Sequence, residues 1–435
     1  MAGARDSIGI GLLGLGVVGS GVARILSEKA EIYAVRVGVP LVIRRVLVRD
    51  VEKERPFSPD PALLTTEPED VFADPAIDVI VEVMGGEHPA HEYIQRAVQS
   101  SRYVVTANKE VMAKHGPNLL ALAKAHGTDI LYEASVGGGI PLISPLKRDL
   151  LANSVSAITA IINGTTNYIL TRMAREGAGY GDALAQAQEL GYAESDPTND
   201  VEAYDAVYKL AILASLGFHT LVRPDEVYRE GITQITDRDF RYAGELGYVI
   251  KLLALGRREP EGIRVRVHPA LIHADEPIAK VDGVFNAVQL EGDLLGRVLF
   301  QGRGAGSLPT TSAVVADLID VAVGLVRGWS DRLNWVQEGA ATVAPMETLR
   351  TRYYVRLTLA DRPGVLAQIA TILGNHGISI ASVIQKEADE SAQTAEVVIM
   401  THVAAEAGMR AALAELRGLD VIAGVGTCLR VESTV

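Results

Sequence analysis

Several acidic residues precede a single lysine in the stretch GYAESDPTNDVEAYDAVYKLAIL, residues 191–213. Asp205 and Lys209 are four residues apart, so a helix would place them on one face, one turn from each other. The apolar run LAILASLGF after the lysine predicts a largely buried helix, and a buried lysine needs a partner. A half-buried lysine beside a positioned carboxylate can move protons. The alternative is a surface ion pair worth a few tenths of a kcal/mol.

The residues before this helix are predicted to form a polar loop. A glycine, a proline and an Asp/Ser/Thr/Asn cluster favour a loop over 191–200, with Asp200 as the N-cap of a helix from about 201 to 216 that ends at Gly217. Glu194 and Asp200 can bind an ammonium group, which indicates an amino-acid-like substrate. Hydride transfer to a carbonyl creates an alkoxide that must gain a proton. Lysine with carboxylates is a better candidate donor here than any of the nine histidines.

A glycine-rich turn near the N-terminus predicts a nucleotide site. The segment IGIGLLGLGVVGSGVARIL (8–26) is a short apolar strand, a turn with the spacing G-x-G-x-x-G, and a helix. Such a turn lets the backbone approach a pyrophosphate, which the helix N-terminus attracts. The candidate cofactor contacts in this turn are Gly14, Leu15, Gly16, Val17, Val18 and Gly19. The alternative is a tight turn that uses glycine only for packing.

Further β-branched runs predict the sheet that holds this turn. They are LVIRRVLV (41–48), VIVEVM (79–84), YVVTA (103–107) and DILYEAS (129–135), with helix-like stretches between them. This alternation predicts an α/β fold with a doubly wound parallel sheet, where a nucleotide lies beyond the carboxyl ends of the strands.

Candidate cleft residues follow one of these strands. Thr106, Asn108 and Lys109 lie in TANKE, just past the third run, so Lys109 is a candidate for the cleft, and a solvated lysine is the alternative. The second strand ends in LVRD, where Arg49 suits a 2′-phosphate and favours NADP, while Asp50 keeps NAD possible.

Residues 151–325 lose this alternation and predict a second, α+β domain. It contains NGTTNYIL (163–170) and FQGRGAGSLPTTSAVVADLID (300–320). In the latter, a helix over about 308–325 can return the chain to the nucleotide domain. That would bring the glycine turn of Gly302, Gly304 and Gly306 near the cofactor, unless it is an ordinary loop.

The C-terminal residues 353–431 (the C-terminal module) have the order βαββαβ, which predicts a ferredoxin-like arrangement. It carries no evident catalytic group, and Cys428 is better explained as a small apolar filler than as a nucleophile. The mixed composition of residues 328–351 predicts a linker before it. The predicted domains are therefore 1–150, 151–327 and 352–435.

Composition limits the function classes. Hydrophobic content of 48% and charged content of 22% are typical of a globular protein, and 435 residues predict two or three domains. A net charge of −13 argues against nucleic acid and anionic membranes as main partners. With one cysteine no internal disulfide is possible, which favours the reducing cytoplasm. The N-terminus is predicted to be neither a signal peptide nor an anchor, and no stretch is predicted to be long and apolar enough to span a bilayer.

Taken together, the motifs resemble homoserine dehydrogenase over about residues 8–325. The matching segments, in this order, are GLGVVGSGV, TANKE, YEASVGGGIP, NGTTNYIL, GYAESDPTNDVEAYDAVYKLAILA and GRGAGSLPTTSAVVADL. The C-terminal module, with DRPGVLAQIA and GISIASVIQ, is similar to an ACT domain, a small amino-acid-sensing module. The resemblance implies NAD(P)-dependent interconversion of L-homoserine and L-aspartate 4-semialdehyde, on the route to threonine, isoleucine and methionine.

The resemblance also implies roles for individual residues. Lys209 matches the catalytic lysine that protonates the developing alkoxide, although Lys109 remains an alternative donor. The matches to substrate-binding positions are Glu194, Asp205, Asp200, Tyr192, Gly164 and Thr165. The matches to cofactor positions outside the first glycine turn are Thr106, Lys109, Gly191 and Gly304. YEASVGGGIP resembles a loop that holds a structural sodium ion through the Glu133 side chain and the carbonyl groups of Val136, Gly138 and Ile140. One departure is Ala203, where many relatives have glycine.

Two other functions compete with this interpretation. A semialdehyde dehydrogenase needs a cysteine nucleophile, and Cys428 in the C-terminal module is far from any glycine turn. A ligand-sensing regulator would bind cofactor without turnover, which the Glu194, Asp205 and Lys209 set argues against. For the C-terminal module we expect feedback inhibition by L-threonine, with a purely assembling module as the alternative. Because ACT modules pair side by side, a homodimer or homotetramer is expected.

Overall fold

The computed structural model describes residues 5–328, 341–389 and 393–433. Within these ranges the helices are α1 (Val17–Glu28), α2 (Ala30–Val37), α3 (Pro68–Phe72), α4 (Ala90–Gln99), α5 (Lys109–Ala125), α6 (Ile143–Lys147), α7 (Gly164–Glu176), α8 (Tyr180–Glu189), α9 (Thr198–Val201), α10 (Tyr204–Gly217), α11 (Asp237–Glu245), α12 (Ser307–Arg327), α13 (Val365–Asn375) and α14 (Glu406–Arg417). The strands are β1 (Ile8–Leu13), β2 (Leu41–Leu47), β3 (Leu64–Thr65), β4 (Val79–Glu82), β5 (Tyr103–Thr106), β6 (Ile130–Leu131), β7 (Val155–Ile161), β8 (Tyr228–Arg229), β9 (Tyr248–Glu259), β10 (Gly262–His273), β11 (Phe285–Gly292), β12 (Gly296–Arg303), β13 (Arg350–Ala360), β14 (Ile380–Asp389), β15 (Thr394–Thr401), β16 (Ala404–Ala405) and β17 (Ile422–Glu432).

The chain forms two compact units that alternate along the sequence. The first unit comprises residues 1–156, 208–225 and 286–340, and the second comprises residues 157–207, 226–285 and 341–435. The boundary at 207/208 falls inside α10, so one helix contributes residues to both units.

The first unit contains a parallel sheet with the strand order β3-β2-β1-β4-β5-β6. This confirms the doubly wound fold predicted from the alternating runs. The core lies where α1, α2 and α12 cover one face of the sheet, and Ile10, Val81 and Leu318 are fully buried there. The predicted strand over 129–135 is too long, because the strand ends at Leu131 and a 3-10 turn occupies Glu133–Ser135.

Helix α12 corrects a second expectation. Its 21 residues, Ser307–Arg327, are long and apolar enough to cross a membrane by length and composition, so the prediction that no stretch has these properties is wrong. Half of its most apolar window is buried, and its Val314 and Leu318 lie in the core of the first unit. The apolar composition therefore fits a core helix.

The second unit is built on a mixed sheet with the strand order β7-β9-β10-β17-β13-β15-β14. Within the C-terminal module the four long strands follow the order β17-β13-β15-β14 with antiparallel pairing, which confirms the ferredoxin-like arrangement. Its last strand, β17, also pairs in parallel with β10. The module thus extends a sheet that begins in the central part of the chain.

The segment that leads into the module is partly packed. Of the predicted linker 328–351, residues 329–340 lie outside the described residues. After them, the backbone N–H of Ile263 donates to Thr342 (2.9 Å), and the N–H of Ala344 donates back to Ile263 (2.8 Å). Residues 341–344 therefore extend the edge of β10 in the second unit.

Candidate active site

The glycine turn after β1 has the geometry of a phosphate cradle. Gly14 has φ +97°, and its N–H donates to the carbonyl of Leu47 (3.0 Å). A Cβ at Gly19 would lie 2.1 Å from the carbonyl oxygen of Gly14, so only glycine allows this approach. Helix α1 then begins at Val17, and its N-cap Gly16 supplies no side-chain hydrogen bond. Within the described part of the chain no N-cap side chain occupies the start of α1, which fits the pyrophosphate of a dinucleotide.

The segment after β2 contains Arg49 and Asp50, the residues predicted to discriminate NADP from NAD. Arg49 and Asp50 are both exposed. The Asp50 carboxylate accepts the N–H of Glu52 (2.9 Å), and the Arg55 guanidinium donates to the carbonyl oxygens of Lys53 (2.7 Å) and Asp50. Asp50 is thus engaged in its own turn, which favours Arg49 as the group that meets the cofactor.

A buried carboxyl that the sequence did not single out lies at the end of β4. Glu82 accepts the hydroxyl of Thr106 (2.6 Å) and the N–H of Met84 (2.8 Å). Burial raises the pKa of Glu82, and these hydrogen bonds oppose the rise only in part. Asn108 donates its N–H to Thr106 (3.0 Å) and caps α5, whose first residue is Lys109. Glu82 and Thr106 therefore fix the start of α5. In the sequence, the signal for this buried carboxyl was a glutamate at the end of an apolar strand.

The predicted cation loop is lined with oxygen atoms. The Glu133 carboxylate is buried and accepts three backbone N–H groups of residues 142–144, at 2.5, 2.8 and 2.7 Å. Within the described ranges no backbone N–H donates to the carbonyl oxygens of Val136, Gly138 or Ile140, which are buried residues. Buried carbonyl oxygens without donors suit a hard cation, so the residues fit a sodium ion.

Asp317 of α12 supports the same loop. Its carboxylate accepts the N–H of Glu133 (2.8 Å), and burial raises the pKa of Asp317 to about 7. The glycine turn before α12 is packed against the loop, because a Cβ at Gly138 would lie 2.5 Å from the carbonyl oxygen of Gly304. Gly304 in turn leaves room for Asn286, whose amide would be 1.9 Å from a Cβ at that position. Gly304 is therefore required for packing, whatever else it contacts.

Both candidate lysines lie on elements of the first unit. Lys209 is 7% exposed and belongs to the part of α10 in that unit. Its neighbour Tyr208 lies against α5, with the Nζ atom of Lys114 5.7 Å from the ring centroid. Lys109, at the start of α5, is half-buried. The first unit thus places one buried and one half-buried lysine on two helices that are in contact.

In the second unit Asn163 joins two of the predicted acids. Its Nδ2 atom donates to Asp200 (2.6 Å) and to Asp205 (2.9 Å), and its Oδ1 atom accepts the N–H of Thr166 at the start of α7 (2.8 Å). Asp205 is 3% exposed. Asn163 was missed in the sequence, although an asparagine before GTT is a typical N-cap signal.

The acids lie on two helices rather than one. The helix predicted from about 201, with Asp200 as its N-cap, is wrong in its start: Asp200 lies inside the short α9, and α10 begins at Tyr204. The break occurs at Ala203, which has φ +67° and is fully buried. This left-handed conformation costs about 1–2 kcal/mol for a residue with a Cβ. It explains why glycine suits this position.

The remaining predicted substrate residues surround α7 and the loop before α9. The Thr165 hydroxyl donates to the carbonyl of Tyr192 (2.6 Å), and Gly164 is the first residue of α7. Tyr192 is 41% exposed, Glu194 is exposed, and Gly191 has φ +72°. These contacts bring Thr165 and Tyr192 together. They leave Glu194 accessible to a ligand.

Cys428 is not suited to nucleophilic catalysis. It lies on β17, packed against the core of the C-terminal module, and burial raises its pKa to about 12. A thiol with such a pKa holds its proton at neutral pH and is a poor nucleophile. The semialdehyde dehydrogenase alternative loses its only candidate residue.

Three family models match the chain. One described as homoserine dehydrogenase matches residues 141–319, one described as homoserine dehydrogenase, NAD binding domain, matches residues 14–133, and an ACT domain model matches residues 353–421.

Individual proteins agree with these models. The homoserine dehydrogenase of Synechocystis sp. is 43% identical over 437 residues, which cover 98% of this chain and 100% of that protein. The crystal structure of a homoserine dehydrogenase from Thiobacillus denitrificans aligns with a TM-score of 0.90 and 43% identity over 98% of both chains. A hyperthermophilic archaeal homoserine dehydrogenase in complex with NADPH aligns with a TM-score of 0.62 and 27% identity, over 75% of this chain and 100% of its own.

Proposed function

The chain belongs to the homoserine dehydrogenase family, and from this membership we propose how its own residues carry out the reaction. It is an NAD(P)-dependent oxidoreductase acting on a CH–OH group, and it interconverts L-homoserine and L-aspartate 4-semialdehyde. The observation that supports the residue roles best is the Asn163 amide, which ties Asp200 to Asp205 at the start of α10, the helix that also carries Lys209.

Substrate binding is assigned to the second unit. The ammonium group of the substrate needs carboxylates, and Asp205, Asp200 and the exposed Glu194 supply them. The Thr165 side chain, Tyr192 and the backbone at Gly164 complete the pocket, and their shared contact at the start of α7 supports this grouping. The hydrogen bonds from Asn163 hold both aspartates in place before substrate arrives, which reduces the ordering cost of binding.

Proton transfer is assigned to Lys209. Bound NAD(P)H supplies the hydride for reduction of the carbonyl. Lys209 donates a proton to the carbonyl oxygen as it becomes an alkoxide, and Asp205, four residues earlier on the same helix, orients the substrate. The burial of Lys209 supports this choice over the more accessible Lys109, which remains beside the cofactor as the second candidate.

The cofactor preference is assigned to NADP. Arg49 at the end of β2 can pair with a 2′-phosphate, whereas the Asp50 carboxylate is engaged by the N–H of Glu52. The archaeal relative was solved with NADPH, which supports the same preference. The pyrophosphate is assigned to the turn Gly14–Gly19. Thr106, Lys109, Gly191 and Gly304 are the proposed contacts elsewhere.

A sodium ion, L-threonine and self-association complete the proposal. Glu133 and the carbonyl groups of Val136, Gly138 and Ile140 would hold the ion and so order the loop before α6. The C-terminal module would bind L-threonine and inhibit the enzyme. Pairing of such modules would give a homodimer or homotetramer in the cytoplasm, where a single cysteine needs no disulfide partner.

Turnover assays test the assignment. NADPH consumption with L-aspartate 4-semialdehyde is compared with NADH consumption, each with and without L-threonine. We expect turnover with both, faster with NADPH, and slower when threonine is present. Equal or better use of NADH would reject the role of Arg49, and unchanged rates with threonine would reject feedback inhibition.

Lysine variants test the proton donor. We expect Lys209→Met to lose about 10²–10⁴-fold in turnover while still binding NADPH, because a general acid typically contributes that much. Lys109→Met tests the alternative donor and should lose less. Lys114→Met is the control, since Lys114 is the neighbouring lysine on α5 and pairs with Glu87 and Glu110 (both 2.7 Å). Near-normal turnover in Lys209→Met would reassign Lys209 to structure.

A further inference from the structure

Residues 228–236 (the strap) run between the substrate acids and the C-terminal module inside the second unit. The strap begins with β8, which pairs in parallel with β10, and the N–H of Glu230 then donates to the carbonyl of Val267 (2.8 Å). It ends at Thr236, the N-cap of α11.

One side of the strap holds the residues between Asp200 and Asp205. The Arg229 guanidinium donates to the carbonyl of Glu202 (2.9 Å) and lies 3.6 Å from the ring centroid of Tyr204. The N–H of Ile232 donates to the carbonyl of Val201 (2.9 Å). Arg229 therefore spans the break at Ala203, on which the relative position of α9 and α10 depends.

The fit between the strap and this break is close. A Cβ at Gly231 would lie 2.5 Å from the carbonyl oxygen of Val201 and 3.0 Å from the Cα of Glu202. The Thr233 hydroxyl adds a longer hydrogen bond to the Glu202 carboxylate (3.3 Å). The strap backbone is thus in direct contact with the segment that carries the two aspartates, so the two cannot shift independently.

The other side of the strap is bound to the C-terminal module. Glu230 accepts two hydrogen bonds from the guanidinium of Arg430 on β17 (2.9 and 3.1 Å). Arg430 is 5% exposed, and its Nε atom also donates to Glu406 of α14 (2.8 Å). At the far end of the strap, Arg356 of β13 donates to the Thr236 hydroxyl (3.1 Å). Module residues from β13 and β17 therefore hold both ends of the strap.

We propose that the strap couples the C-terminal module to the substrate carboxylates, with Arg229 as a positioning residue for the pair Asp200 and Asp205. Arg229 and Glu230 are neighbours in the chain, and one contacts the substrate segment while the other contacts the module. A change in β17 or α14 that moves Arg430 pulls on Glu230 and shifts Arg229, which changes the geometry at Ala203. The regulatory half of this proposal depends on the proposed binding of an amino-acid effector to the module. The positioning half does not.

The test uses Glu230→Gln in the full-length enzyme, with Glu259→Gln as a matched control. Glu259 also pairs with a buried arginine of the second unit, Arg264 (2.7 Å), and the two pairs have similar exposure, with side chains 6% and 26% exposed against 6% and 35% for Arg430 and Glu230. In the described structure the hydrogen bonds to the Glu259 carboxylate come from Arg264 and not from the strap. We expect Glu230→Gln to keep kcat within about twofold while the threonine concentration for half inhibition rises about tenfold, the value of one hydrogen bond to a charged group. Glu259→Gln should leave both unchanged.

Two further measurements separate this proposal from the proposed function. Arg229→Lys should raise the KM for L-aspartate 4-semialdehyde about tenfold at unchanged KM for NADPH, because lysine cannot both reach the Glu202 carbonyl and stack on Tyr204. Hydrogen exchange of residues 198–207 should be faster in Glu230→Gln than in Glu259→Gln, with or without threonine.

The outcomes distinguish the two failures. If the wild type ignores threonine but residues 198–207 exchange faster in Glu230→Gln, feedback inhibition fails and the coupling stands. If Glu230→Gln and Glu259→Gln behave alike in exchange and inhibition, the coupling is wrong. An unchanged substrate KM in Arg229→Lys would overturn the positioning role.

Discussion

Two buried carboxyl groups, Glu82 in the first unit and Asp239 in the second, are held in opposite ways. Glu82 in the first unit has neutral partners, the Thr106 hydroxyl and backbone N–H groups, and burial raises its pKa. Asp239 in the second unit is equally buried, and burial alone would raise its pKa. The hydrogen bond and charge of Arg356 (2.7 Å) outweigh burial and lower it.

We relate this difference to what each unit binds, a dinucleotide in the first unit and the C-terminal module in the second. A dinucleotide brings its own negative charge, and we propose that the first unit binds it with backbone N–H groups and a helix terminus. The second unit instead uses buried ion pairs to join the C-terminal module to the central part of the chain. Arg356 pairs with Asp239 of α11 (2.7 Å) and, within the module, with Glu396 (3.0 Å), and Arg266 of β10 pairs with Glu432 of β17 (2.7 Å). Such pairs stabilise little in net terms, but removing one partner is costly.

Deletion of the C-terminal module is the strongest test of this contrast. A chain that ends at residue 349 loses β17 from the middle of the sheet and removes the ion-pair partners of Asp239 and Arg266. We expect no cooperative thermal transition from the second unit, measured by circular dichroism and limited proteolysis. A chain that ends after Glu432 keeps β17 and serves as the control. A well-folded deletion with a normal melt would show that the module is an appendage, and only then would deletion be a clean test of threonine sensitivity.

A single substitution at the junction should have the next largest effect. Asp239→Asn removes the charge opposite Arg356 and is expected to lower the free energy of unfolding by about 3–5 kcal/mol, as when one partner of a buried pair is removed. Urea unfolding of the full chain measures it. Asp237→Asn is the control, because Asp237 is an exposed acid in the first turn of the same helix. Equal effects in the two variants would mean that the helix dipole, and not the ion pair, matters at this site.

Sequence patterns predicted the features that depend on neighbouring residues. The turn Gly14–Gly19 follows from glycine spacing, and the βαββαβ order of the C-terminal module follows from periodicity. The structure confirms the folds that contain them, the doubly wound sheet and the ferredoxin-like module. Asn163 carried a local N-cap signal that could have been read. The short α9 was also a local feature, but it depends on Ala203 adopting a left-handed conformation that alanine disfavours.

Contacts between distant residues could not be predicted in this way. The pairing of β10 with β17 joins residues more than 150 positions apart, such as Ala270 and Arg430. The contact of Arg356 with Asp239 spans 117 positions. From the sequence alone, a charged residue in an amphipathic strand is predicted to be solvent-exposed. The hydrophobic pattern does not reveal which other strand will cover that residue.

For the first unit we expect a smaller change in stability, which depends on pH. The pKa of Glu82 is raised in the folded state, so between its unfolded value near 4.5 and its folded value the native state holds a proton that the unfolded state has released. Stability of the first unit should therefore fall as the pH rises through that window. Glu82→Gln cannot titrate, so its urea-unfolding midpoint should fall less between pH 5 and pH 8 than that of the wild type. The exposed Glu69→Gln should follow the wild type. Parallel pH profiles for Glu82→Gln and the wild type would contradict the neutral-partner interpretation.

For Asp239 in the second unit we expect the opposite pH dependence of stability. Because its folded pKa is lowered, its contribution is fully present above its unfolded value near 3.8 and is lost as the pH falls through the folded pKa. We expect the stability difference between the wild type and Asp239→Asn to shrink only below about pH 4, followed by acid unfolding with hydrogen exchange resolved for each unit. A shrinking difference between pH 5 and 8 would argue that the Arg356 charge does not outweigh burial.

The smallest effect is expected at Ala203, where the second unit has a strained backbone rather than a buried ion pair. Ala203 holds φ +67° while fully buried, and Arg229 spans the break on both sides of it. Ala203→Gly removes the Cβ penalty of about 1–2 kcal/mol but adds unfolded-state entropy worth about 0.5–1 kcal/mol, so a net gain of up to about 1 kcal/mol is expected in urea unfolding. Ala206→Gly, inside α10, has ordinary helical geometry and should instead lose about 1 kcal/mol or more. A loss of equal size in both variants would mean that the left-handed backbone at Ala203 costs this chain nothing.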